Sequence, residues 1–305
     1  MIDVTDRPPR LRRAVAEARV HARPETLATV RDGRVPKGDV AATTRAAALL
    51  GLKRTPDLLP FCHRIPVEHA TVEVSVGDDA VHVTVEVAAV ARTGMEVEAM
   101  TGAALAALNV YDMLKPIDST ASIGEVRVVT KSGGRSDHRP ARDPAPSAGV
   151  LVVSDSVAAH DAVDTAGAAT RTAIEEAGLT IGAFDVVPDD TDRIADVVRG
   201  WVDELGIELV VAVGGTGAGR RDRTPEALRS LFDLELPGLG EAIRAHGRER
   251  TPRADLSRAV GGVRGGAVLL AVPGSPRGAL EAMEAVLPWV VHLLDVLRPD
   301  YRHDD

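Results

Sequence analysis

The sequence predicts two domains of different fold class: an α+β sandwich with an antiparallel sheet, followed by a doubly wound α/β domain with a mostly parallel sheet. The length of 305 residues favours two domains, since one domain commonly has roughly 100–200 residues. In the first half, apolar and polar residues alternate along the predicted strands, which is typical of strands with one buried face. In the second half, short continuous apolar runs alternate with helical stretches, which is typical of strands covered on both faces.

A linker separates the two predicted domains. Residues 132–149, SGGRSDHRPARDPAPSAG, are dense in Pro, Gly, Ser, Arg and Asp. They contain almost no large apolar side chain and so cannot bury enough surface to fold alone. An apolar run follows at residues 150–153. We therefore predict a first domain at residues 1–134, a flexible linker at residues 135–148 and a second domain at residues 149–305.

The first domain is predicted to combine two long helices with three strands. Asp39 is suited to cap a helix over residues 41–52, because an aspartate side chain accepts hydrogen bonds from the free N–H groups of a first turn. A second helix is predicted over residues 93–114, and we expect one of its apolar faces to pack on the core. The residues of that face are Met100, Ala104, Leu108 and Tyr111. The predicted strands are residues 71–76 and 81–87, which form a hairpin, and residues 124–130.

The second domain is predicted to repeat a strand–helix–strand unit. Such repetition requires right-handed crossovers and produces a doubly wound sheet. The predicted strands are residues 149–153, 180–187, 209–213 and 267–272. The predicted helices are residues 164–177, 191–204 and 280–297.

Composition argues against several classes of partner. The chain has 36 Lys and Arg against 45 Asp and Glu, a net charge of −9, whereas nucleic-acid binders normally have a basic field. Aromatic residues make up 2%, too few for base-stacking surfaces. The single cysteine, Cys62, cannot form an internal disulfide or a cysteine-rich zinc site. Without an apolar signal core or membrane-length apolar run, we expect a cytoplasmic protein that binds neither nucleic acid nor membrane.

Several polar residues of the first half lie where a packed core would not require them. Lys37 lies in a turn just before the first long helix. Asp112 and Lys115 are three positions apart on the second helix, so their side chains are neighbours. Taken singly, these residues have ordinary structural explanations. Glu96 and Glu98 complement the dipole at a helix N-terminus, and Lys115 does the same at its C-terminus.

The order of motifs in residues 1–134 resembles the cyclic pyranopterin monophosphate synthase family. The motifs are IDV, DGR-x-x-KGDV, LLP-x-CH, TG-x-E-x-E-AMTGA, YDM-x-K and KSGG. The resemblance implies a ferredoxin-like fold and dimers assembled into a hexamer, with active sites at subunit interfaces. It also implies conversion of a cyclised dihydroguanosine triphosphate into cyclic pyranopterin monophosphate, with release of pyrophosphate. No cofactor is firmly implied for this half.

The same resemblance implies roles for individual residues. Lys37 and Lys115 would be the catalytic lysines, and Asp112 would keep Lys115 oriented. Clustered cations suit a triphosphate substrate, and we expect a lysine crowded by other cations to have a lowered pKa for proton transfer. Arg64 stands where the family commonly has a proline after the Cys-His pair. The residues implied in substrate binding are Arg12, His63, Glu96, Glu98 and Lys131.

A glycine-rich turn follows a buried strand in the second half. Residues 214–217, Gly-Gly-Thr-Gly, leave room for phosphate oxygens to approach backbone N–H groups. Such a turn also occurs for purely structural reasons, and neither a Walker lysine nor a GxGxxG fingerprint accompanies it. Asp222 lies between arginines beside the glycines, a favourable place to hold a metal ion that bridges phosphates. Thr224 with Pro225 is an ordinary helix start.

The motifs of the second half resemble the MoaB/MogA-like molybdopterin-binding family over about residues 149–296. They are VVSDS, VPDD, GGTG-x-x-x-RD-x-TPEA, LPGLGEAIR, DLSRAVGG and VPGSP. Active members join the AMP of ATP to molybdopterin with Mg²⁺ and are usually trimers. The resemblance implies that Asp189 and Asp222 are catalytic and organise the Mg²⁺. Ala166 stands where a serine usually precedes the glycine of the turn after Asp164. The residues implied in substrate binding are Asp155, Asp164, Gly214, Gly215, Thr216, Gly217, Glu241, Ser257, Gly274 and Ser275.

The sequence therefore favours a bifunctional enzyme of molybdenum cofactor biosynthesis. We expect it to bind pterin phosphates and nucleotides, to use Mg²⁺ with ATP in its second half, and to form a homo-oligomer based on a hexamer or a trimer. A second hypothesis makes the C-terminal half a molybdopterin-binding or oligomerisation module without catalysis. A third, an unrelated nucleotide-binding protein, leaves the motifs of the first half as coincidence.

Overall fold

The computed structural model describes residues 1–134, 137, 140 and 143–302. The chain divides into two compact units, Met1–Asp137 and His138–Asp305. The boundary between the units lies within the predicted linker, whose residues 135, 136, 138, 139, 141 and 142 lie outside the described residues. The first strand of the second unit begins at Ser147, two residues inside the segment predicted as linker.

The first unit is a four-stranded antiparallel sheet with order β2-β3-β1-β4. This strand order, with helices after β1 and β3, is the ferredoxin-like arrangement that the sequence predicted. The strands are β1 (Arg10–His21), β2 (His69–Val76), β3 (Ala80–Ala91) and β4 (Ser122–Ser132). The helices are α1 (Pro24–Arg31), α2 (Val40–Leu58) and α3 (Glu96–Leu114). Asp39 caps α2 as predicted, because its Oδ1 accepts from the N–H of Ala42 at 2.9 Å.

Strand β1 lies at the centre of this sheet, between β3 and β4, yet the sequence pattern did not predict it. Its buried positions alternate as a half-buried strand requires, but they include Ala14, Ala16, Ala18 and Arg12. Alanine differs little in hydropathy from its polar neighbours. The arginine is a charged residue at a position where the alternating pattern would have an apolar one. The period-two signal was therefore too weak to recognise.

The prediction that Met100, Ala104 and Leu108 face the core of the first unit was wrong, whereas Tyr111 packs against that core as predicted. Met100, Ala104 and Leu108 are exposed and Tyr111 is half-buried. Helix α3 instead buries its smallest residues, which are Ala99, Gly102, Ala103, Ala106 and Ala107, together with Val110. A Cβ on Gly102 would lie 3.2 Å from Val85 and 3.4 Å from the carbonyl oxygen of Ala48, so small residues allow α3 to approach α2 and the sheet closely.

The second unit has a six-stranded mixed sheet with order β6-β5-β7-β10-β9-β8. Strands β6, β5, β7 and β10 are parallel, and β9 and β8 add an antiparallel edge. The predicted doubly wound, mostly parallel sheet is confirmed. The strands are β5 (Ser147–Val153), β6 (Thr180–Val187), β7 (Leu209–Val213), β8 (Leu234–Glu235), β9 (Val260–Arg264) and β10 (Ala267–Val272).

Helices cover both faces of this sheet. Helices α5, α8 and α9 pack with one apolar cluster, and α6 and α7 pack with the other. Covered faces explain why β7 is buried at every position. The helices are α4 (Asp155–Ala158), α5 (Ala166–Glu176), α6 (Thr191–Asp203), α7 (Thr224–Arg229), α8 (Pro237–Arg248) and α9 (Pro276–Val296), with a 3-10 helix at Pro252–Leu256. Among the residues that the structure describes, no helix combines the length and apolarity needed to span a membrane.

Candidate functional sites

Two predicted catalytic lysines meet at one carboxylate in the first unit. Lys37, in the turn before α2, donates to Asp112 Oδ2 at 2.7 Å and to the Asp112 carbonyl oxygen at 2.7 Å. Lys115, just after α3, donates to Asp112 Oδ1 at 2.7 Å. The three side chains are partly exposed. The structure therefore brings the predicted lysine pair together around Asp112 within a single chain.

Ion pairing sets the protonation of this lysine cluster. Hydrogen bonds from Lys115 and Lys37 lower the pKa of Asp112 to about 2. The hydrogen bond and negative charge of Asp112 raise the pKa of Lys115. The sequence-based expectation of a lowered lysine pKa is therefore wrong for Lys115, because its nearest charged neighbour is the Asp112 carboxylate rather than another cation.

A second group of predicted site residues lies at the other end of α3. Glu98 is 1% exposed, and its Oε1 accepts from the Cys62 thiol at 3.5 Å. Its Oε2 has no hydrogen-bond partner among the described residues. Burial raises the pKa of Glu98, and burial together with the Glu98 charge and hydrogen bond raises the pKa of Cys62 to about 11. Glu96, in the same first turn, forms an ion pair with Lys131 at 3.1 Å.

The Cys62–Glu98 pair lines a surface cavity of about 190 Å³, as does His63. The Nε2 atom of His63 lies 2.9 Å from the carbonyl oxygen of Ile2, which also lines the cavity. The predicted Arg12 is buried and donates to the carbonyl oxygens of Ala91 and Gly133. These contacts tie β1 to the ends of its neighbouring strands.

The two groups do not meet within one chain. Glu98 and Asp112 are fourteen residues apart on α3, which at 1.5 Å per residue corresponds to about 21 Å. We call them the lysine cluster (Lys37, Asp112, Lys115) and the Glu98 cavity (the cavity lined by Cys62, His63 and Glu98). Apart from Cys62, the sequence predicted the residues of both groups, but it did not predict this separation.

In the second unit, the glycine-rich loop after β7 requires glycine at two positions. Gly214 has φ +110°, and a Cβ there would lie 2.2 Å from the carbonyl oxygen of Val153. Gly215 has φ +60°, and a Cβ would lie 2.3 Å from Thr224 Oγ1 and 2.8 Å from Asp189 Oδ1. Both φ values are costly for residues with a side chain. The loop therefore approaches β5 and the acidic residues as closely as a backbone can.

Three predicted aspartates gather around this loop. The backbone N–H of Asp155 donates to Asp189 Oδ2 at 3.3 Å, and the N–H of Asp189 donates to Asp155 Oδ1 at 3.1 Å. Asp222 Oδ2 accepts from the N–H of Gly219 at 2.7 Å. Burial and the negative charges of Asp155 and Asp222 raise the pKa of Asp189. Arg221, paired with Asp155 at 2.8 Å, offsets part of this negative charge.

These residues fit a divalent cation held jointly with a phosphorylated ligand. Asp189 Oδ1 and Thr224 Oγ1 are buried without hydrogen-bond partners among the described residues, and both lie beside Gly215. Oxygen ligands suit Mg²⁺, which proteins usually bind through one or two carboxylates plus substrate phosphates. In the described part of the chain, no three or more His, Cys, Asp and Glu side chains form a complete metal site.

Other predicted residues of the second unit have structural roles. Asp164 Oδ1 accepts from the N–H of Gly167 at 2.7 Å at the start of α5. Ser275 caps α9 by accepting from the N–H of Gly278 at 3.2 Å. Ser257 Oγ accepts from the N–H of Ala259 at 3.3 Å. Gly274 lies against Gly214, since a Cβ on it would be 3.0 Å from the Cα of Gly214, and Glu241 is exposed on α8.

Sequence reasoning missed three residues of these sites. Arg258 contacts the glycine-rich loop through its side chain and its backbone, although its motif DLSRAVGG was recognised. Thr224 was interpreted only as a helix start, and Cys62 was not predicted as a site residue. No sequence signal distinguishes a hydroxyl or thiol at a functional site from one that simply packs.

Each of the two units matches a known protein family. Residues 1–134 match the model of the MoaC family, and residues 149–292 match the model described as "Probable molybdopterin binding domain". Over 300 residues the chain is 37% identical to a molybdenum cofactor biosynthesis bifunctional protein of Chlorobaculum tepidum, covering 98% of this chain and 95% of that one. It is 46% identical over 138 residues to a cyclic pyranopterin monophosphate synthase of Thermomicrobium roseum, covering 45% of this chain and 83% of that one.

The solved structure of the molybdopterin biosynthesis enzyme MoaB from Thermus thermophilus is 45% identical to the matched part, with a TM-score of 0.47, and covers 50% of this chain and 95% of that one. The two matched domains define a protein of molybdenum cofactor biosynthesis. The chain belongs to the family of molybdenum cofactor biosynthesis bifunctional proteins, and its N-terminal half is a cyclic pyranopterin monophosphate synthase domain.

Proposed function

We propose that the first unit converts (8S)-3′,8-cyclo-7,8-dihydroguanosine 5′-triphosphate into cyclic pyranopterin monophosphate and pyrophosphate. The lysine cluster is the observation that supports this most directly. A lysine ammonium has three donors; Lys37 gives two to Asp112, and Lys115 gives one. The remaining donors can bind phosphate oxygens while Asp112 keeps both ammonium groups in place.

The chemistry follows from the charges. Pyrophosphate leaves the α-phosphorus as the cyclic phosphate forms, and fixed ammonium groups neutralise the negative charge that develops on the departing group. Rearrangement of the purine skeleton also needs proton transfers. The buried Glu98 and the nearby His63 line a cavity suited to a substrate ring, and both side chains can exchange protons.

We further propose that a second copy of the chain completes this active site. The lysine cluster and the Glu98 cavity are about 21 Å apart along α3, too far to act on the same atoms of one substrate. An antiparallel pairing of two α3 helices across a twofold axis would place the lysine cluster of one copy beside the Glu98 cavity of the other. A homo-oligomer, hexameric or trimer-based, is the assembly we propose.

Mixed oligomers test this arrangement. Lys115→Ala and His63→Ala are each expected to inactivate the homo-oligomer, whereas co-expression of the two variants restores a part of the activity. Activity returns because one interface combines an intact lysine cluster with an intact Glu98 cavity. Mixing Lys115→Ala with Lys37→Ala is the control, since both changes fall in the same cluster. Equal failure of both mixtures would reject the shared site.

For the second unit, we propose transfer of AMP from ATP to the terminal phosphate of molybdopterin. The attacking phosphate oxygen forms a bond to the α-phosphorus of ATP, and pyrophosphate leaves. Mg²⁺ supplies charge neutralisation and orientation of the phosphates in such reactions. Asp189 and Asp222 would hold the ion, and the backbone N–H groups of the glycine-rich loop would bind phosphate oxygens. The gathering of Asp155, Asp189 and Asp222 around that loop supports this proposal.

A second candidate is a molybdopterin-binding or oligomerisation module without catalysis. Ala166, at the start of α5, provides no hydroxyl where relatives usually have serine, and this favours the alternative. Release of pyrophosphate from ATP on addition of molybdopterin decides between the two. We expect release by the wild-type chain and its loss in Asp222→Asn. Pterin binding without pyrophosphate release would support the non-catalytic module.

A further inference from the structure

Arg258 contacts the glycine-rich loop at several points from one side. Its backbone N–H donates to the carbonyl oxygen of Thr216 at 2.8 Å. Its Nε donates to the carbonyl oxygen of Gly217 at 2.7 Å, and its Nη2 donates to the carbonyl oxygen of Asp222 at 2.7 Å. Its Nη1 forms an ion pair with Glu226. One residue thus binds both ends of the segment from residue 217 to residue 222.

These contacts determine where the N–H groups of the loop point. In a trans peptide, the C=O of one residue and the N–H of the next lie in one plane and point in opposite directions. Among the described residues, the peptide before Pro144 is the cis bond, so the loop peptides are trans. Because Arg258 binds the carbonyls of Thr216 and Gly217, the N–H groups of Gly217 and Ala218 point away from it.

The outward N–H groups have no partner of their own. Within the described part of the chain, the N–H groups of Gly215, Thr216, Gly217 and Ala218 donate no hydrogen bond. Unpaired successive N–H groups form a concave donor surface that binds anions. By contrast, the N–H of Gly214 is bound to Val272 and that of Gly219 to the Asp222 carboxylate. The unpaired donors therefore include the N–H groups of Gly217 and Ala218, whose peptide planes Arg258 holds through the carbonyls of Thr216 and Gly217.

We propose that Arg258 is the positioning residue of a phosphate-binding loop, acting from behind the loop to direct the N–H groups of Gly217 and Ala218 at the phosphates of a nucleotide. The nucleotide as ligand rests on the proposed AMP transfer of the second unit. Arg258 does not touch the ligand. It fixes peptide planes that glycine residues would otherwise leave free to rotate, since Gly accepts a wider range of backbone angles than other residues.

Nucleotide binding by the full-length chain tests this proposal. ATP is titrated calorimetrically into the wild type and into Arg258→Ala, Arg258→Lys and Arg253→Ala. Arg258→Ala is expected to weaken ATP binding about 10-fold or more, because unfixed peptide planes must be ordered on binding. The ATP affinity of Arg258→Lys is expected to lie between those of the wild type and Arg258→Ala, since an ammonium lacks the planar fork that reaches two carbonyls at once. Arg253, exposed on the 3-10 helix, is the charge-matched control and should leave ATP affinity unchanged.

Limited proteolysis gives a readout that needs no ligand. The loop contains Arg220, Arg221 and Arg223, which are trypsin sites. We expect Arg258→Ala to speed cleavage in this loop relative to the wild type and Arg253→Ala, at a temperature where all variants remain folded by circular dichroism. A purely structural role would lower thermal stability without changing the ATP affinity of the folded protein, and that result would overturn the proposal.

The two proposals fail separately. If the wild type binds ATP and releases pyrophosphate, but Arg258→Ala matches it in ATP affinity and in tryptic cleavage, the role of Arg258 is rejected and AMP transfer stands. If the wild type binds no ATP, AMP transfer is rejected, and with it the nucleotide as the ligand of this loop. Faster tryptic cleavage of the loop in Arg258→Ala would then still support the conclusion that Arg258 fixes the conformation of this loop.

Discussion

Lys37 and Lys115 donate to opposite oxygens of one carboxylate, each at 2.7 Å from Asp112. They come from different elements, the turn before α2 and the C-terminal end of α3. Two ammonium groups around one carboxylate leave a net positive charge at a partly exposed place. This arrangement explains how two lysines can be held close together and still attract a polyphosphate.

Replacing Asp112 by asparagine should lower the pKa of Lys115. Asp112 raises that pKa through a hydrogen bond and its negative charge, and asparagine removes the charge. The pKa can be followed by NMR of ¹³C-labelled lysine side chains, with Lys115→Arg used to assign the signal. Asp57→Asn, at an exposed pair with Arg64, is the control. An unchanged Lys115 titration in Asp112→Asn would contradict this account of the cluster.

Removing either lysine should stop the reaction of the first unit without unfolding it. We expect Lys37→Ala and Lys115→Ala each to lower the rate of cyclic pyranopterin monophosphate formation by about 10²–10⁴-fold, the usual loss for a positioned electrostatic or proton-transfer group. Lys53→Ala, at an exposed position on α2, should keep the wild-type rate. Pyrophosphate release by the second unit should stay unchanged in all three variants, and near-normal synthase turnover in either lysine variant would show that the assignment is wrong.

The sequence predicted the two fold classes and the residues of the lysine cluster. It did not predict β1, because alanines and Arg12 occupy its buried positions. It selected the wrong face of α3, because larger apolar residues such as Leu108 look more like core than the alanines that actually pack. Side chains exposed in one chain and apolar in character are typical of an interface, and a single-chain pattern cannot separate interface from core.

The residues of the candidate sites were also only partly predictable from the sequence. Motifs placed Asp189, Asp222 and the glycines correctly beside one another, because strand ends of a parallel sheet meet at one edge. The role of Arg258 depends on which carbonyls its side chain reaches in a loop that lies more than thirty residues earlier in the chain. That relationship is set by tertiary packing and has no periodicity along the chain.

Cys62 should react slowly with alkylating reagents. Its pKa is raised to about 11, and the thiolate is the reactive form. At pH 8 we expect iodoacetamide to modify Cys62 about 100-fold more slowly than an unperturbed thiol, whose pKa is about 8.5. Glu98→Gln should speed the reaction, because the charge that raises the Cys62 pKa is removed. Cys62 is the single cysteine of the chain, so mass spectrometry of the intact protein reports its rate directly.

The control for Cys62 is Glu73→Gln, an exposed position on β2. If Glu98→Gln and Glu73→Gln react at the same rate, the Glu98 carboxylate does not govern the thiol. If the rate of Cys62 modification by iodoacetamide no longer increases above pH 8, the pKa of Cys62 is not raised.

Asp118 should stabilise the first unit in a pH-dependent way. Its carboxylate is buried and accepts from the N–H groups of Arg23 and Thr120 and from the Thr120 hydroxyl at 2.6–2.9 Å. Burial alone would raise the pKa of Asp118, but these hydrogen bonds and one from Thr26 hold it well below its ordinary value. Asp118→Asn turns one acceptor into a donor that faces N–H groups, and should cost about 2–3 kcal/mol at pH 7.

The pH dependence follows from the direction of that shift. A carboxyl whose pKa is depressed on folding contributes stability above its unfolded-state pKa, about 3.9, and loses it as the pH falls towards the folded-state value. The difference in melting temperature between wild type and Asp118→Asn should therefore be constant from pH 7 to pH 5 and shrink below pH 4. Asp78→Asn, at an exposed carboxylate paired with Arg31, should change stability by less than about 0.5 kcal/mol. A difference between wild type and Asp118→Asn that persists undiminished at pH 2.5 would mean that packing of this side chain, rather than its charge, stabilises the junction of β1, α1 and the turn after α3.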